Sequence, residues 1–192
     1  MKRNFLHSTI LALALYPATA AFAEEAHVAP VTEYVNTTVK TWAGDPVIVA
    51  AIKAQNAANA GLGQGDIDAL DQKWRGEVEA DAHPTIDAVL ANPVSELLKA
   101  KQEGSEGTIT EIFVMDAKGL NVGQSSVTSD YWQGDEPKFQ KTFGVGPDAL
   151  FVDEAEKDES TQMLQSQASF TIVDEAGKPI GSMTVGINLD KL

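Results

Sequence analysis

The chain contains no cysteine. That absence excludes disulfides, thiolate metal sites, cysteine nucleophiles and a lipid-modified cysteine anchor. Histidine is scarce, with three in the whole chain: His7, His27 and His83. No His-Glu-x-x-His pair and no Gly-x-Ser-x-Gly elbow occurs. The sequence therefore offers no cofactor motif and no ready catalytic constellation, and the expectation is a protein that is not an enzyme. Cations are few as well: 14 lysines and arginines stand against 28 acids, a formal charge of −14. Nucleic acid and anionic lipid would repel such a surface. Long apolar runs are missing too. The longest, Ile10 to Tyr16, falls far short of the roughly 20 residues that span a bilayer, so no direct membrane insertion is expected.

That short run has its own meaning. Lys2 and Arg3 precede it, and Ala21-Phe22-Ala23 follows with the small-x-small pattern of a signal-peptidase site. Residues 1–23 are expected to be a signal peptide cleaved after Ala23. The remainder, 24–192, has the length of a single domain and must rely on an ordinary core. The expected location is periplasmic or secreted.

Residues 24–105 read as mainly helical. Val28, Val31, Val35 and Trp42 fall on one stripe. In "GDPVIVAAIKAQNAANA", Asp45 is a good N-cap and Pro46 occupies the first helical position, where proline is welcome. Ile67, Leu70, Trp74 and Val78 form a further stripe. "NPVSELLKAKQEG" repeats the signals, with Asn92 as cap, Pro93 first and Gly104 as terminator.

Near Thr108 the period changes to two, and residues 106–192 read as an antiparallel sheet. Ile112 and Val114 alternate with Phe113 and Met115. Met183, Val185, Ile187 and Leu189 face one way, and Ser182, Thr184, Gly186 and Asn188 the other. The apolar face would pack on the helices. The small polar face suits either solvent or the floor of a cavity. "FVMDAKGLNVGQ" and "TIVDEAGKPIGS" align without a gap as strand, Asp-x-x-Gly turn, strand. Asp116 and Asp174 can bond their own turns, and Gly119 and Gly177 can supply positive φ. The fold class is α+β, a helical half packed on an antiparallel sheet of about five strands.

Three stretches invite a chemical reading. "GLGQG" (61–65) follows a helix and lacks the Gly-Lys-Ser/Thr ending of a phosphate loop, so it reads as a helix–helix connection. The acid-rich "VDEAEKDES" (152–160) lacks the spacing of a calcium loop and reads as a charged strand edge, with cation binding as the lesser alternative. "SDYWQGDEPKFQ" (129–140) combines flat aromatic faces with Asp130, Asp135, Glu136 and Lys138, the mixture that small-ligand sites use. Its plainer reading makes Trp132 and Phe139 core anchors for a helix starting at Pro137.

The order of features resembles the Cache, or PDC, family of PAS-like extracytoplasmic sensor domains. The resemblance is carried by "IFVMDAKGLNVGQSSVTSDYWQGDEPKFQKTF" and "ASFTIVDEAGKPIGSMTVGINLD". It implies a small organic ligand (an amine, amino acid or carboxylate) held between the sheet and its covering loops. Tyr131 and Trp132 match the family's aromatic. Asp130 stands where a basic residue is expected, which leaves room for an amine or for a carboxylate held by Lys138. The candidate ligand-binding residues are Tyr131, Trp132, Asp130, Lys138, Met115 and Ser126. With the chain ending at Leu192, the resemblance implies a free-standing module whose partner is a membrane receptor or histidine kinase. Two other readings stand beside it, a structural or interaction module with a self-filled pocket and a solute carrier.

Overall fold

The computed structural model describes residues 25–157 and 163–192. The expected signal peptide lies outside them, as does the end of the acid-rich run from residue 158. Among these residues five α-helices come first: α1 (Val28–Thr37), α2 (Pro46–Ala58), α3 (Gln64–Val78), α4 (Pro84–Leu90) and α5 (Pro93–Glu103). Strands β1 (Ile109–Asp116) and β2 (Asn121–Gln124) precede a short helix α6 (Pro137–Gln140). Strands β3 (Leu150–Val152), β4 (Glu156–Lys157), β5 (Leu164–Val173) and β6 (Pro179–Asn188) complete the sheet. Among the described residues, no helix is long and apolar enough to cross a membrane.

The capping signals act as read. The Asp45 side chain accepts from Val47 N–H at 2.9 Å, and Asn92 Oδ1 accepts from Ser95 N–H at 2.9 Å. Prolines occupy the first turns of α2, α4, α5 and α6. "GLGQG" is the α2–α3 connection, where Asp66 reaches back to Gly63 N–H at 2.9 Å. Two stripes differ from expectation. α1 stops at Thr37, and Trp42 belongs to a separate 3₁₀ turn, Val39–Trp42. The β-branched run Thr37-Thr38-Val39 crowds a helix and marks the break. In α3 the buried positions are Ile67, Asp71, Trp74 and Glu77, while Val78 is exposed. The two acids are buried because they serve backbone donors. Glu77 accepts from Thr85 N–H, Thr85 Oγ1 and Ile86 N–H at 2.7, 2.6 and 3.1 Å, capping the start of α4. Burial pushes the Glu77 carboxyl up, but these hydrogen bonds and Lys73 outweigh it and leave its pKa below the usual range.

Among the described residues the sheet has six antiparallel strands rather than about five, in the order β2-β1-β6-β5-β3, with the two-residue β4 also on β5. The hairpins β1–β2 and β5–β6 join through β1 and β6, so the first and penultimate long strands flank the last. The sequence echo is structural. In one turn Asp116 N–H bonds Leu120 O and Gly119 N–H bonds Asp116 O; in the other Asp174 N–H bonds Lys178 O and Gly177 N–H bonds Asp174 O. Gly119 and Gly177 have φ of 81° and 76°, the left-handed region that glycine enters freely. Asn56 of α2 ties the two hairpins together, donating to Ile180 O at 2.7 Å and accepting from Ala117 N–H at 2.8 Å.

The helix-facing side of the sheet forms the main core. Ile112, Val114, Phe170, Met183, Val185 and Ile187 pack there with Val31, Val35, Ile48, Ile52 and Leu98, all at most 1% exposed. The opposite face is polar but not solvated: Ser169, Ser182 and Thr184 are fully buried. Over this second face lies a smaller apolar cluster of Phe113, Met115, Phe139 and Phe143, in which the last two rings stack at 5.2 Å. α6 and the segment after it are its roof.

Candidate functional site

The aromatic loop is clamped to α3. Asp71 Oδ1 accepts from the backbone N–H groups of Tyr131 and Trp132 at 2.9 and 3.0 Å. Its other oxygen accepts from Arg75 Nε at 2.7 Å, and Arg75 Nη2 reaches Asp130 Oδ1 at 2.9 Å. Trp74 stacks on Tyr131 at 5.2 Å between centroids and 21° between planes, and donates its indole N–H to Thr128 O at 2.8 Å. Trp132 donates Nε1–H to Lys118 O at 2.8 Å, which fixes the loop to the first Asp-x-x-Gly turn. Close approach here needs glycine: a Cβ on Gly119 would stand 2.6 Å from Gly134 Cα.

The six candidate residues therefore divide. Asp130, Tyr131 and Trp132 sit together on α3. Lys138 lies across the second face, its Nζ 2.8 Å from Glu136 Oε2 and 5.5 Å from the centre of the Phe113 ring. Met115 is fully buried in the floor, and Ser126 is exposed at its rim. Between these groups runs a chain of buried amides. Asn121 Nδ2 donates to Gln124 Oε1, Thr128 Oγ1 and Asp130 O, and Gln133 links Asp130 O to Lys138. Asn121 Oδ1 and Gln124 Nε2 are buried with no hydrogen-bond partner, an arrangement that normally costs stability and calls for a reason.

Tyr131 gives the loop a titration signature. Burial first, and the nearby Asp116 carboxylate second, push its phenol up to about 12 from 10.0. The fold favours the protonated form, so its contribution is whole below the unfolded value and is lost as pH rises through about 12. Two pH units correspond to about 2–3 kcal/mol. Burial raises the Tyr34 phenol as well, so absorbance titration should find a late step near 12 that belongs to Tyr131, together with a fall in stability across that alkaline window. A Tyr131→Phe protein should lose the late step.

Two clefts open on the second face. One, of about 280 Å³, is lined by Glu136, Lys138, Asp153, Glu154, Glu156 and residues 165–167. The other, of about 480 Å³, is lined by Gln102, Thr110, Glu111, Ser126 and neighbours. Gln165 borders both. Gln167, which lines the smaller cleft, donates from Nε2 to Oε1 of Glu111, which lines the larger, at 2.7 Å. Both residues pair with Gly186 across the sheet, and a Cβ there would meet Thr110 Oγ1 at 2.3 Å and Glu111 Cγ at 2.8 Å. Lys138 and Ser126 thus border the clefts. Neither Tyr131 nor Trp132 lines these two or the clefts of about 600 and 450 Å³ beside the start of α2, all among the described residues. The acid-rich run contributes Asp153, Glu154 and Glu156; among the described residues, no group of three or more histidines and acids is placed to hold a metal ion.

No family model matches the chain, and no curated protein is similar to it. Neighbours among solved structures are sensor domains of histidine kinases and chemoreceptors. The chain is similar to the sensor domain of the V. cholerae histidine kinase DctB, at 11% identity over 86% of this chain with a TM-score of 0.49. It is similar to the sensory domain of the Campylobacter jejuni chemoreceptor Tlp3, at 15% identity over 82% with a TM-score of 0.40. An extracellular ligand binding receptor from Desulfohalobium retbaense aligns at 15% identity over 75% with a TM-score of 0.39. This chain spans 51%, 63% and 25% of those three chains respectively.

Proposed function

We propose that residues 24–192 are a single Cache-like, extracytoplasmic sensor module that binds a small organic molecule on the sheet face opposite the main core. The observation that carries the reading is the covered polar face itself. Buried hydroxyls and an aromatic roof lie beside two adjoining clefts whose walls carry mainly polar side chains, and such placed polar groups are what fix a ligand's orientation. Lys138 and Ser126 border the ligand in this reading, Met115 lies in the floor, and Asp130, Tyr131 and Trp132 set the loop that shapes one end. The signal-peptide pattern supports export to the periplasm or beyond. Signalling would then pass to a separate membrane receptor or histidine kinase.

A specific observation favours a second reading, a structural or interaction module. Phe113, Met115, Phe139 and Phe143 fill much of the space beneath α6, and Lys138 already holds Glu136. A thermal-shift screen of the purified protein against amines, amino acids and short organic acids separates the two. A ligand at one hundred times its Kd stabilises by about 2.7 kcal/mol. The sensor reading expects a saturable rise with at least one class; a flat response across all classes would leave the interaction module.

A further inference from the structure

We propose that the outer edge of β3 is a docking site for an extended, basic segment of a partner protein, which adds to the sheet as a further strand. The register leaves this edge open. Thr171 N–H donates to Ala149 O at 3.2 Å, and Asp153 N–H donates to Gln167 O at 2.8 Å. Bonded positions alternate along an antiparallel ladder, so Phe151, opposite Ser169, is the residue between them that bonds β5. The backbone N–H and C=O groups of Leu150 and Val152 therefore point away from the sheet, and none of them has a hydrogen-bond partner among the described residues. The opposite edge of the sheet is treated differently. On β2, Val122 O accepts from Asn92 Nδ2 at 2.8 Å, Gln124 N–H donates to Ser95 Oγ at 2.9 Å, and Asn121 N–H donates to Tyr131 O at 3.0 Å. The start of α5 and the aromatic loop thus close one edge, while β3 keeps the other unpaired. An unpaired edge is a template for another chain, with main-chain bonds supplying affinity and alternate side chains specificity.

The flanks of the open stretch select the occupant. Asp148 stands just before it, and Asp153, Glu154 and Glu156 just after it. No lysine, arginine or histidine pairs with these carboxylates among the described residues. A second copy of this chain, with its own formal charge of −14, would set acid against acid across an antiparallel pair, and like charges directly opposite are destabilising. A strand with a lysine or arginine at each end meets opposite charge at both. Leu150 and Val152 are partly buried and pack on the main core, where α1 reaches β3. Apolar residues beside them on the incoming strand extend that core. The position beside Phe151 lies on the other face, where Lys141 Nζ already stands 4.1 Å from the ring centre, so an uncharged residue suits it. The segment that fits alternates apolar and small uncharged residues and carries its cations at the ends. This docking does not depend on the small-molecule reading above.

The test is calorimetric titration of the purified protein with two synthetic peptides of alternating valine and threonine, one ending in lysine at both termini and the other in glutamate. The lysine-ended peptide should bind at least about tenfold more tightly than the other. It should also slow amide exchange at Leu150 and Val152. Val152→Pro removes an outward N–H and no bond to β5, so the fold should persist while affinity for the peptide falls at least about tenfold. Asp148→Lys combined with Glu154→Lys leaves the backbone edge intact and should reverse the preference between the peptides. Equal affinity for the two peptides overturns the proposal, and so does binding of neither. Unchanged affinity in Val152→Pro, unaltered exchange at Leu150 and Val152, or an unchanged order in the charge-reversed protein overturns it as well. A dimer in the absence of peptide, dissociated by Val152→Pro, would make a second copy the occupant and refute the basic segment. Should Val152→Pro fail to fold, the charge-reversed protein and the exchange measurement decide the matter.

Discussion

Asp116→Ala is expected to cost about 3–5 kcal/mol, whereas the same change at Asp174, in the equivalent turn, costs far less. The two turns have matching backbone hydrogen bonds, so the difference isolates burial. Asp116 is fully buried. Its Oδ1 accepts from Lys118 and Leu120 N–H at 2.8 and 3.0 Å, and its Oδ2 from Asn59 Nδ2 and Gln55 Nε2 at 2.7 and 3.1 Å. Removing the carboxylate strands several donors where water does not reach, at about 1–3 kcal/mol for each left unmet. Asp174 accepts from Ala176 and Lys178 N–H at 2.9 Å each, but in an exposed turn where water replaces it. Those bonds, with help from Lys53 and Lys178, hold the Asp174 carboxyl below its usual range despite some desolvation. Its contribution is therefore present above the unfolded carboxylate value and fades as pH falls through the lower folded one. Urea titrations of both variants at neutral pH measure the contrast. Equal losses would show that the turn, and not its burial by α2, sets the energy.

The contrast also marks what the sequence makes legible. The gapless repeat of Asp-x-x-Gly identified two hairpins, and the change of period near Thr108 divided helices from sheet, because turn chemistry and side-chain alternation are local. Capping by Asp45 and Asn92 is local for the same reason. Burial of Asp116 is not local, since it depends on Gln55 and Asn59 arriving from α2. Asp71 and Glu77 escape a pattern reading because charged residues in an amphipathic helix are assigned to the solvated side. Their partners, the backbone of 131–132 and the start of α4, become visible only in three dimensions. The pairing of Glu111 with Gln167 requires the register of β1, β6 and β5 over Gly186. A glycine in a strand was the available signal: it marks close approach of another group. The aromatic stretch was legible in composition, but what holds it was not: Asp71 on its backbone N–H groups, Trp74 against Tyr131, and backbone pairing with residues 119–121.

Trp74→Ala should be the other severe variant, with a loss of about 3–5 kcal/mol on the scale of large aromatic truncations. Trp74 is fully buried. Its deletion removes the ring that Tyr131 stacks on and the donor that satisfies Thr128 O. Trp74→Phe separates these parts: it keeps most of the packing and loses the hydrogen bond, a cost of about 1–3 kcal/mol for the carbonyl left unmet. The effect should extend beyond overall stability. Asp71 is one turn earlier on α3, so its two bonds to Tyr131 and Trp132 persist only while the loop stays seated. With the indole gone, solvent reaches Tyr131, and its phenol should titrate closer to 10 than to 12 because burial is the larger cause of its shift. Amide exchange across 128–132 should rise with it, while exchange in the β5–β6 hairpin changes only as much as global stability does. A Trp74→Ala protein that kept the late tyrosine step would show that Asp71 alone seats the loop and that the stacked pair is dispensable to it.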